Sequence, residues 1–309
     1  MSISAKLTID GKTIDLPADK AWSFSVGNDV AVTPKPPLPS HTFFKGICEY
    51  FTAPLSIAPV LKSCGITHMR GWMSIDWNKL PTAADDDVKG LIAWANAGFV
   101  TIPCCTTKVP PKSPKQVQDW YATAHALFGK YVGFWEIGNE PNLNTVEAKR
   151  SEDDAYWIGT LSSYYDQHLA PACDVLNAKG AITISGGISK DFAALKKLMG
   201  FGAAKIVKAA GYHPYGFSKE ENIANMRGAA EICGAMPIIA TEWNYHAGSP
   251  SGWAGSIPLC YAVAKETSIG ACYYRGKANQ QPAGKQGIFS SDGKYTPNQP
   301  YFDVVKGLK

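Results

Sequence analysis

Residues 134–142 read FWEIGNEPN, and this stretch determines how the rest of the sequence is interpreted. A short apolar run ends in an Asn-Glu-Pro triplet that contains Glu140. A proline after a carboxylate indicates a strand that stops at a loop, because proline has no N–H for the ladder. A second stretch of this kind, MPIIATEW at 236–243, delivers Glu242 at its end. The sequence therefore places two glutamates at the ends of two separate strands.

From residue 43 onward, strand-like and helix-like segments alternate along the chain. Apolar Val88, Leu91 and Ala95 keep helical spacing, for example, and Gly98 closes that helix. The predicted strands span residues 43–48, 66–72, 99–105, 134–141, 181–186, 206–212, 236–243 and 269–275. The predicted helices span residues 57–64, 85–97, 114–128, 192–199, 223–233, 256–266 and 301–308, with one more from about 152 that is kinked or broken at Pro171.

Alternation of this kind produces a parallel sheet, and eight strand–helix units predict an α/β fold, a closed (β/α)8 TIM barrel. The runner-up is a doubly wound open sheet. Its glycine-rich first turn is missing, since neither GxGxxG nor GxxxxGK[ST] occurs in the sequence. The closed barrel is therefore the preferred prediction.

Residues 1–40 precede the repeating units. Residues 5–16 alternate around Asp10-Gly11, which is a signal for a two-residue hairpin turn, and a proline-rich passage, TPKPPLPS, follows. A segment of about 35 residues rarely forms its own core. We therefore expect residues 1–40 to be a short N-terminal β-hairpin and lead-in packed on the barrel, and residues 41–309 to form the barrel itself.

Composition excludes several classes of protein. The chain has 309 residues, 45% of them hydrophobic and 18% charged, as in ordinary globular proteins. A net charge of +4 without a Lys/Arg run argues against a nucleic-acid partner, and no apolar run is long enough for a membrane span. The start lacks the apolar core of a signal peptide, which leaves a cytoplasmic, virus-borne or processed secreted location open. We also expect a monomer.

The cysteines and histidines show no metal-site spacing. Eight cysteines include no CxxC pair, and six histidines form no HExxH motif. Most of the cysteines lie in apolar strands or on helix faces, where they act as small buried hydrophobes. We therefore expect free thiols, no metal site and no cofactor.

In a (β/α)8 barrel, reacting groups collect at the C-terminal ends of the strands. The candidates at those ends are Arg70, Asn139, Glu140, His213, Tyr215, Glu242 and either Tyr273 or Tyr274. Two facing carboxyl groups are what cleavage of a glycosidic bond requires, one to protonate the departing oxygen and one to support an oxocarbenium-like centre. We expect ionised Glu242 to raise the pKa of Glu140 and keep it protonated, and Arg70 to favour ionised Glu242.

Three motifs resemble those of a known group of enzymes. NEP at 139–141 after an apolar strand, HPY at 213–215 and TEW at 241–243 are similar to motifs of the clan A glycoside hydrolases. The forms WEIGNEPN and TEWN look most like family 39 and its neighbours. The resemblance covers residues 43 to 308 and implies a retaining glycosidase that needs no cofactor and acts on a β-linked oligo- or polysaccharide.

The resemblance also implies a role for each matching residue. Glu140 would be the acid/base and Glu242 the nucleophile, Asn139 would hold the sugar 2-hydroxyl, and Arg70 would support the nucleophile. His213 and Tyr215 would line the subsite around the cleaved bond. The eighth strand departs from the clan pattern, because it ends in Tyr273-Tyr274-Arg275 where the clan often has tryptophan. This departure concerns contacts with the substrate rather than the reaction.

Flat aromatic rings can stack on the C–H face of a sugar. Trp72, Trp135 and Trp243 lie near predicted strand ends and are candidates for substrate binding, together with Tyr273. Trp135 could equally face a helix.

Other roles remain open for several of these residues. Glu136 shares strand parity with Glu140 but lies deeper in the barrel, so we expect it to form a structural ion pair with His68 or Arg70. Arg70 could be only that partner, and His213 could be a core histidine. Two other functions also remain open: a non-catalytic carbohydrate-binding barrel, and an aldolase-like barrel, for which no strand-end lysine or metal cluster is clear.

Overall fold

The three-dimensional structure is a computed structural model that describes residues 5–9, 12–16, 42–244, 250–278, 286–291, 294–299 and 301–308. The chain divides into two compact units, Met1–Pro37 and Leu38–Lys309. In the first unit, β1 (Ala5–Ile9) and β2 (Lys12–Leu16) pair in antiparallel fashion, which confirms the strands of the predicted hairpin. The turn between them and the proline-rich lead-in lie outside the described residues, and packing of the hairpin on the barrel stays a prediction.

The second unit contains a closed barrel of eight parallel strands, as the alternating pattern predicted. Its strands are β3 (Phe44–Cys48), β4 (His68–Ser74), β5 (Val100–Thr106), β6 (Trp135–Asn139), β7 (Thr183–Ser189), β8 (Ala210–His213), β9 (Ile238–Trp243) and β10 (Gly270–Tyr273). Consecutive strands pair in chain order, and β10 closes the ring by pairing with β3. The closed ring rules out the doubly wound open sheet.

The helices lie along the chain between the strands. They are α1 (Ala58–Ser63), α2 (Asp86–Asn96), α3 (Pro114–Phe128), α4 (Leu161–Tyr164), α5 (Ala170–Ala178), α6 (Phe192–Gly200), α7 (Ala203–Ile206), α8 (Lys219–Cys233), α9 (Pro250–Thr267) and α10 (Tyr301–Gly307). No helix among the described residues has the length and apolar character needed to cross a membrane.

The helical region after β6 differs from the prediction. It begins at Leu161 rather than near residue 152, because the Thr160 and Ser163 side chains form a capping box that starts α4 there. A π-helical turn, Tyr165–Leu169, then separates α4 from α5. Pro171 lies in the first turn of α5, where its missing N–H is tolerated. The helix type therefore changes just before this proline without a break in the helical residues, and a kink at Pro171 stays a prediction.

Apolar side chains fill two separate layers. The larger one lies between the strands and the helices, and a smaller one inside the barrel includes Phe44, Ile102, Ile184 and Ile239. All eight cysteines are buried thiols, as predicted. Because all eight barrel strands are parallel, the polar side chains at their carboxyl ends lie at one opening.

Candidate active site

Glu140 and Glu242 are brought together by closure of the barrel. Glu140 follows β6, Glu242 lies in β9, and only 7% and 6% of their respective surfaces are exposed. One carboxylate oxygen of each residue and a ring nitrogen of His213 all lie within 4.8 Å of one another. The two carboxyl groups predicted from strand ends therefore face one another across a single small space.

Arg70 is the buried centre of the cluster. Its Nε and Nη2 atoms donate to the two carboxylate oxygens of Glu136, at 2.5 and 3.2 Å. Its Nη1 atom donates to Oε1 of Glu242 at 2.7 Å, and Nη2 also donates to Oδ1 of Asn139 at 2.8 Å. The predicted ion pair with Glu136 is confirmed, and its partner is Arg70 rather than His68, whose ring stacks on Phe44. Arg70 is therefore both a structural partner of Glu136 and a direct neighbour of Glu242.

Each oxygen of the Glu242 carboxylate receives a hydrogen bond. Arg70 donates to Oε1, and the Tyr215 hydroxyl donates to Oε2 at 2.8 Å. Asn139 turns its Oδ1 atom toward Arg70, which directs its Nδ2 atom the other way. These contacts fix the orientation of Glu242, as a nucleophilic carboxylate would require.

His213 connects Glu140 to β9. Its Nδ1 atom lies 3.0 Å from Oε1 of Glu140, and its Nε2 atom lies 3.0 Å from the hydroxyl of Thr241. The histidine is fully buried, and it fits only because residue 187 is glycine: a Cβ atom on Gly187 would lie 2.1 Å from Nε2. The barrel interior thus holds the imidazole in one position beside Glu140.

The pKa values of this pair differ from the prediction. Burial alone raises the pKa of Glu140, but the hydrogen bond and positive charge of His213 outweigh it and hold the pKa below its usual value. Burial lowers the pKa of His213, whereas the charge of Glu242 and the bond to Glu140 raise it above its usual value. The expectation that Glu242 raises the pKa of Glu140 is therefore wrong, because His213 contacts Glu140 directly.

The backbone at Glu140 leaves the strand abruptly. Its φ angle is 44°, in the left-handed region, which costs a non-glycine residue about 1–3 kcal/mol. Its N–H donates to the carbonyl of Gly187 at 2.9 Å, and the next turn is fixed by Asn142, which exchanges two 3.0 Å bonds with the backbone of Ser189. Sequence analysis missed Asn142, although it is the last residue of the NEPN stretch.

A row of aromatic rings extends from Glu242 along the opening at the carboxyl ends of the barrel strands. The Tyr215 ring lies 6.0 Å from that of Tyr274, which lies 6.2 Å from Trp72, and Trp72 lies 5.3 Å from Tyr50. Trp72 is half-buried, and Tyr50 is 46% exposed. The outer end of this row, at Trp72 and Tyr50, is therefore accessible from solvent.

A cleft opens where the carboxyl ends of β4 and β5 meet the loop after β6. It has a volume of about 590 Å³. Its lining includes Thr106, Lys108, Arg150 and Tyr156. Burial and then the negative charges of Glu140 and Glu242 raise the pKa of Tyr156 to about 12.

Glu140, His213 and Glu242 are also close enough to share a metal ion. However, Arg70 and Tyr215 already donate to the two oxygens of Glu242. A cation at this position would have to compete with a buried guanidinium for the same carboxylate. The prediction that the site needs no metal stays a prediction.

Several solved structures to which the chain is similar are glycoside hydrolases. A family 39 glycoside hydrolase from the gut symbiont Bacteroides cellulosilyticus WH2 matches with a TM-score of 0.65 and 14% identity, over 98% of this chain and 69% of that chain. A fungal β-1,4-galactanase matches with a TM-score of 0.62 and 12% identity, over 86% and 99%. A mannohexaose complex of Thermomonospora fusca β-mannanase matches with a TM-score of 0.61 and 12% identity, over 86% of this chain and 89% of that chain. The chain has the barrel fold of these three structures.

At these identities the likeness establishes the fold alone. Neither protein-family models nor the curated protein sequences match the chain. The assignment of a reaction to this barrel therefore depends on the side chains of its site.

Three residues predicted to bind substrate lie elsewhere. Trp135, Trp243 and Tyr273 are each at most 2% exposed and pack between the strands and the helices. Trp135 stacks on Phe128, and Trp243 contacts Tyr261. The reason is strand parity: successive side chains alternate, so Glu136 and Glu242 face inward while the tryptophans beside them face outward. This corrects their expected placement, whereas Trp72 and the alternative candidate Tyr274 do reach the site.

Proposed function

We propose that the protein is a retaining glycoside hydrolase that cleaves β-linked oligo- or polysaccharides by double displacement. The spacing of Glu140 and Glu242, within 4.8 Å between oxygens, is the observation that supports this most directly. Retaining enzymes separate their carboxyl groups by about 5–5.5 Å, whereas inverting enzymes need about 6.5–9.5 Å to admit a water molecule. The spacing therefore favours retention.

In the first step of the proposed reaction, a carboxylate oxygen of Glu242 bonds to the anomeric carbon while the bond from that carbon to the glycosidic oxygen breaks. Glu140 gives its proton to the departing oxygen. In the second step, Glu140 takes a proton from water, the water oxygen bonds to the anomeric carbon, and the ester to Glu242 breaks. Arg70 and Tyr215 hold Glu242 in position for both steps, and Asn139 directs its Nδ2 atom to a sugar hydroxyl.

The proton for the first step comes from the pair formed by Glu140 and His213. The shifted pKa values indicate that one proton is shared across the 3.0 Å contact and lies mainly on His213. Transfer from Nδ1 to Oε1 converts Glu140 to the acid that the departing oxygen requires. His213 is therefore the proposed proton donor to Glu140, and the Thr241 hydroxyl accepts or donates at its other nitrogen.

The proposed substrate extends on both sides of the cleaved bond. The aromatic row that ends in Trp72 and Tyr50 begins at Glu242, so it suits the sugar that becomes attached to the nucleophile. The cleft beside Tyr156 suits the leaving group, which must lie next to the acid Glu140. The neighbouring β-mannanase structure is a complex with mannohexaose, which supports an oligosaccharide substrate.

The proposal is tested by incubating the protein with aryl β-glycosides and a glycan panel and analysing the products by mass spectrometry. We expect cleavage of at least one substrate, early products with the β configuration by NMR, and no turnover for Glu242→Gln. Glu231→Gln, which changes an exposed glutamate on α8, is the matched control and should keep full turnover. Turnover by Glu242→Gln, or inverted products, would exclude this mechanism. Glycan binding without cleavage would instead indicate a carbohydrate-binding barrel.

A further inference from the structure

Tyr164 lies at the end of α4 and is fully buried against the barrel. Its hydroxyl donates to the carbonyl of Ile137 in β6 and accepts a bond from the N–H of Gly186 in β7 at 2.9 Å. A helix side chain therefore links two neighbouring barrel strands, three residues before Glu140.

This hydroxyl lies between two groups that a regular ladder would pair directly. Trp135 donates to the carbonyl of Ile182 at 2.8 Å, and Ile137 lies opposite Ser185. In a parallel ladder of this phase, the N–H of Gly186 donates to the carbonyl of Ile137. The tyrosine hydroxyl accepts from that N–H and donates to that carbonyl, so it bonds to both groups of this ladder position.

The backbone that follows the link is shaped to fit the tyrosine. Gly138 has a φ angle of 86°, and a Cβ atom there would lie 2.8 Å from Cε2 of Tyr164. Two residues later, Glu140 also has a positive φ angle, and its N–H returns to the carbonyl of Gly187. The chain therefore turns between Gly138 and Glu140, and this turn directs the Glu140 carboxyl group toward His213.

The π-helical turn Tyr165–Leu169 follows Tyr164 directly, and such turns often occur at functional sites. It places His168 5.9 Å from the ring of Tyr164, while Trp157 lies 5.8 Å away on another side. His168 is itself fully buried and contacts the hydroxyl of Tyr121 at 3.0 Å. These rings pack around Tyr164 and restrict its side chain to one orientation, which fixes the position of its hydroxyl.

We infer that Tyr164 is a positioning residue for Glu140. Its hydroxyl, bonded to both β6 and β7, supports the turn from Gly138 to Glu140. This turn orients the Glu140 carboxyl group toward His213 and Glu242. Tyr164 touches no substrate itself. The inference builds on the proposed function, because the orientation of the Glu140 carboxyl group affects turnover only if Glu140 acts as an acid.

The test compares Tyr164→Phe with Tyr121→Phe, which removes a buried hydroxyl from the same aromatic group. The Tyr121 hydroxyl contacts His168 rather than the backbone of β6 or β7. Both variants act on 2,4-dinitrophenyl and phenyl glycosides of the sugar that the wild type hydrolyses. Dinitrophenolate leaves without a proton, whereas the more basic phenolate needs acid assistance. A misplacement of about 1 Å can cost about 100-fold. We therefore expect Tyr164→Phe to lower kcat/KM for phenyl glycosides by about 10- to 100-fold and for dinitrophenyl glycosides by less than about 2-fold.

Tyr121→Phe should leave both substrates unchanged. Equal losses on both substrates, or none, for Tyr164→Phe would overturn the inference while leaving the proposed function intact. If the wild type hydrolyses neither glycoside, the proposed function itself fails. An NMR titration of His213 then still tests whether Tyr164 orients Glu140, because the bond to Glu140 helps to raise the pKa of His213. Tyr164→Phe should lower the pKa of His213 toward its usual value, and Tyr121→Phe should not. An unchanged His213 titration in Tyr164→Phe would also overturn the inference.

Discussion

Nδ1 of His213 lies 3.0 Å from Oε1 of Glu140, and both residues are almost completely buried. Burial alone would leave both groups neutral, since it lowers the pKa of histidine and raises that of glutamate. The attraction between the two groups, together with the charge of Glu242, reverses both shifts. The buried pair therefore holds one proton between the lowered pKa of Glu140 and the raised pKa of His213. Isolated glutamate and histidine side chains would hold one proton over a narrower range of pH.

This pair should give stability a characteristic pH dependence. The pKa of His213 is raised above 6.5, so its contribution is complete below pH 6.5 and is lost as pH rises through the folded-state value. The pKa of Glu140 is lowered below 4.5, so its contribution is present above pH 4.5 and is lost as pH falls through the lowered value. We therefore expect the difference in Tm between wild type and His213→Asn to be largest between about pH 4.5 and pH 6.5, where both contributions are present.

The matched control for that measurement is His125→Asn on α3. Burial, and then the charge of Lys179, lower the pKa of His125, so the wild type should lose stability relative to this variant as pH falls below 6.5. The two histidine variants should therefore show opposite slopes near neutral pH. A Tm difference for His213→Asn that does not change with pH would contradict the shared proton.

Glu140→Ala should separate the two chemical steps. General acid–base assistance contributes about 10²- to 10⁴-fold, so we expect a loss of that size on substrates with poor leaving groups. Dinitrophenyl glycosides should still form the ester with Glu242, and added azide should then raise turnover and yield a β-glycosyl azide, detected by NMR. Glu242→Gln is the control and should show no such rescue. Failure of azide to restore turnover in Glu140→Ala would count against the acid/base role.

The sequence was sufficient to predict the barrel and its two glutamates because each catalytic candidate ends an apolar strand. It was insufficient for the eighth strand, where Tyr273 was chosen as the substrate contact but Tyr274 reaches the site. Alternation along β10 places Cys272 and Tyr274 inside the barrel and Ala271 and Tyr273 outside it. The sequence alone did not show which of these two sets faces inward.

Other differences trace to contacts between residues far apart in sequence. The direct bond from His213 to Glu140 sets the pKa of both residues, and no local pattern encodes it. The outward direction of Trp135, by contrast, followed from the inward direction of Glu136 and could have been derived from strand parity. The link from Tyr164 into β6 and β7 lies next to a π-helical turn, and no local motif signals either feature.

Arg70 should prove essential to both stability and turnover. Arg70→Met leaves the buried Glu136 without its ion pair, which typically costs about 3–5 kcal/mol, and removes the donor 2.7 Å from Glu242. Adding Glu136→Gln removes the unpaired charge, so the double variant should regain part of the stability in urea unfolding but none of the turnover. Lys115→Met, which breaks an exposed pair on α3, should change neither property. Recovered turnover in the double variant would show that Arg70 serves Glu136 alone.

The two tryptophans beside strand ends should respond to substitution in opposite ways. Trp72 is half-buried in the aromatic row at the opening, so Trp72→Ala should raise KM by about 10-fold or more, as expected from the loss of about 1.5 kcal/mol of ring contact, with little change in Tm. Trp243 is 1% exposed between β9 and α9, so Trp243→Ala should lower the free energy of unfolding by about 3–5 kcal/mol. Measuring KM on an oligosaccharide and urea unfolding for both variants separates the two roles. A normal KM in Trp72→Ala would exclude its ring from substrate binding. Unchanged stability in Trp243→Ala would contradict its place in the core.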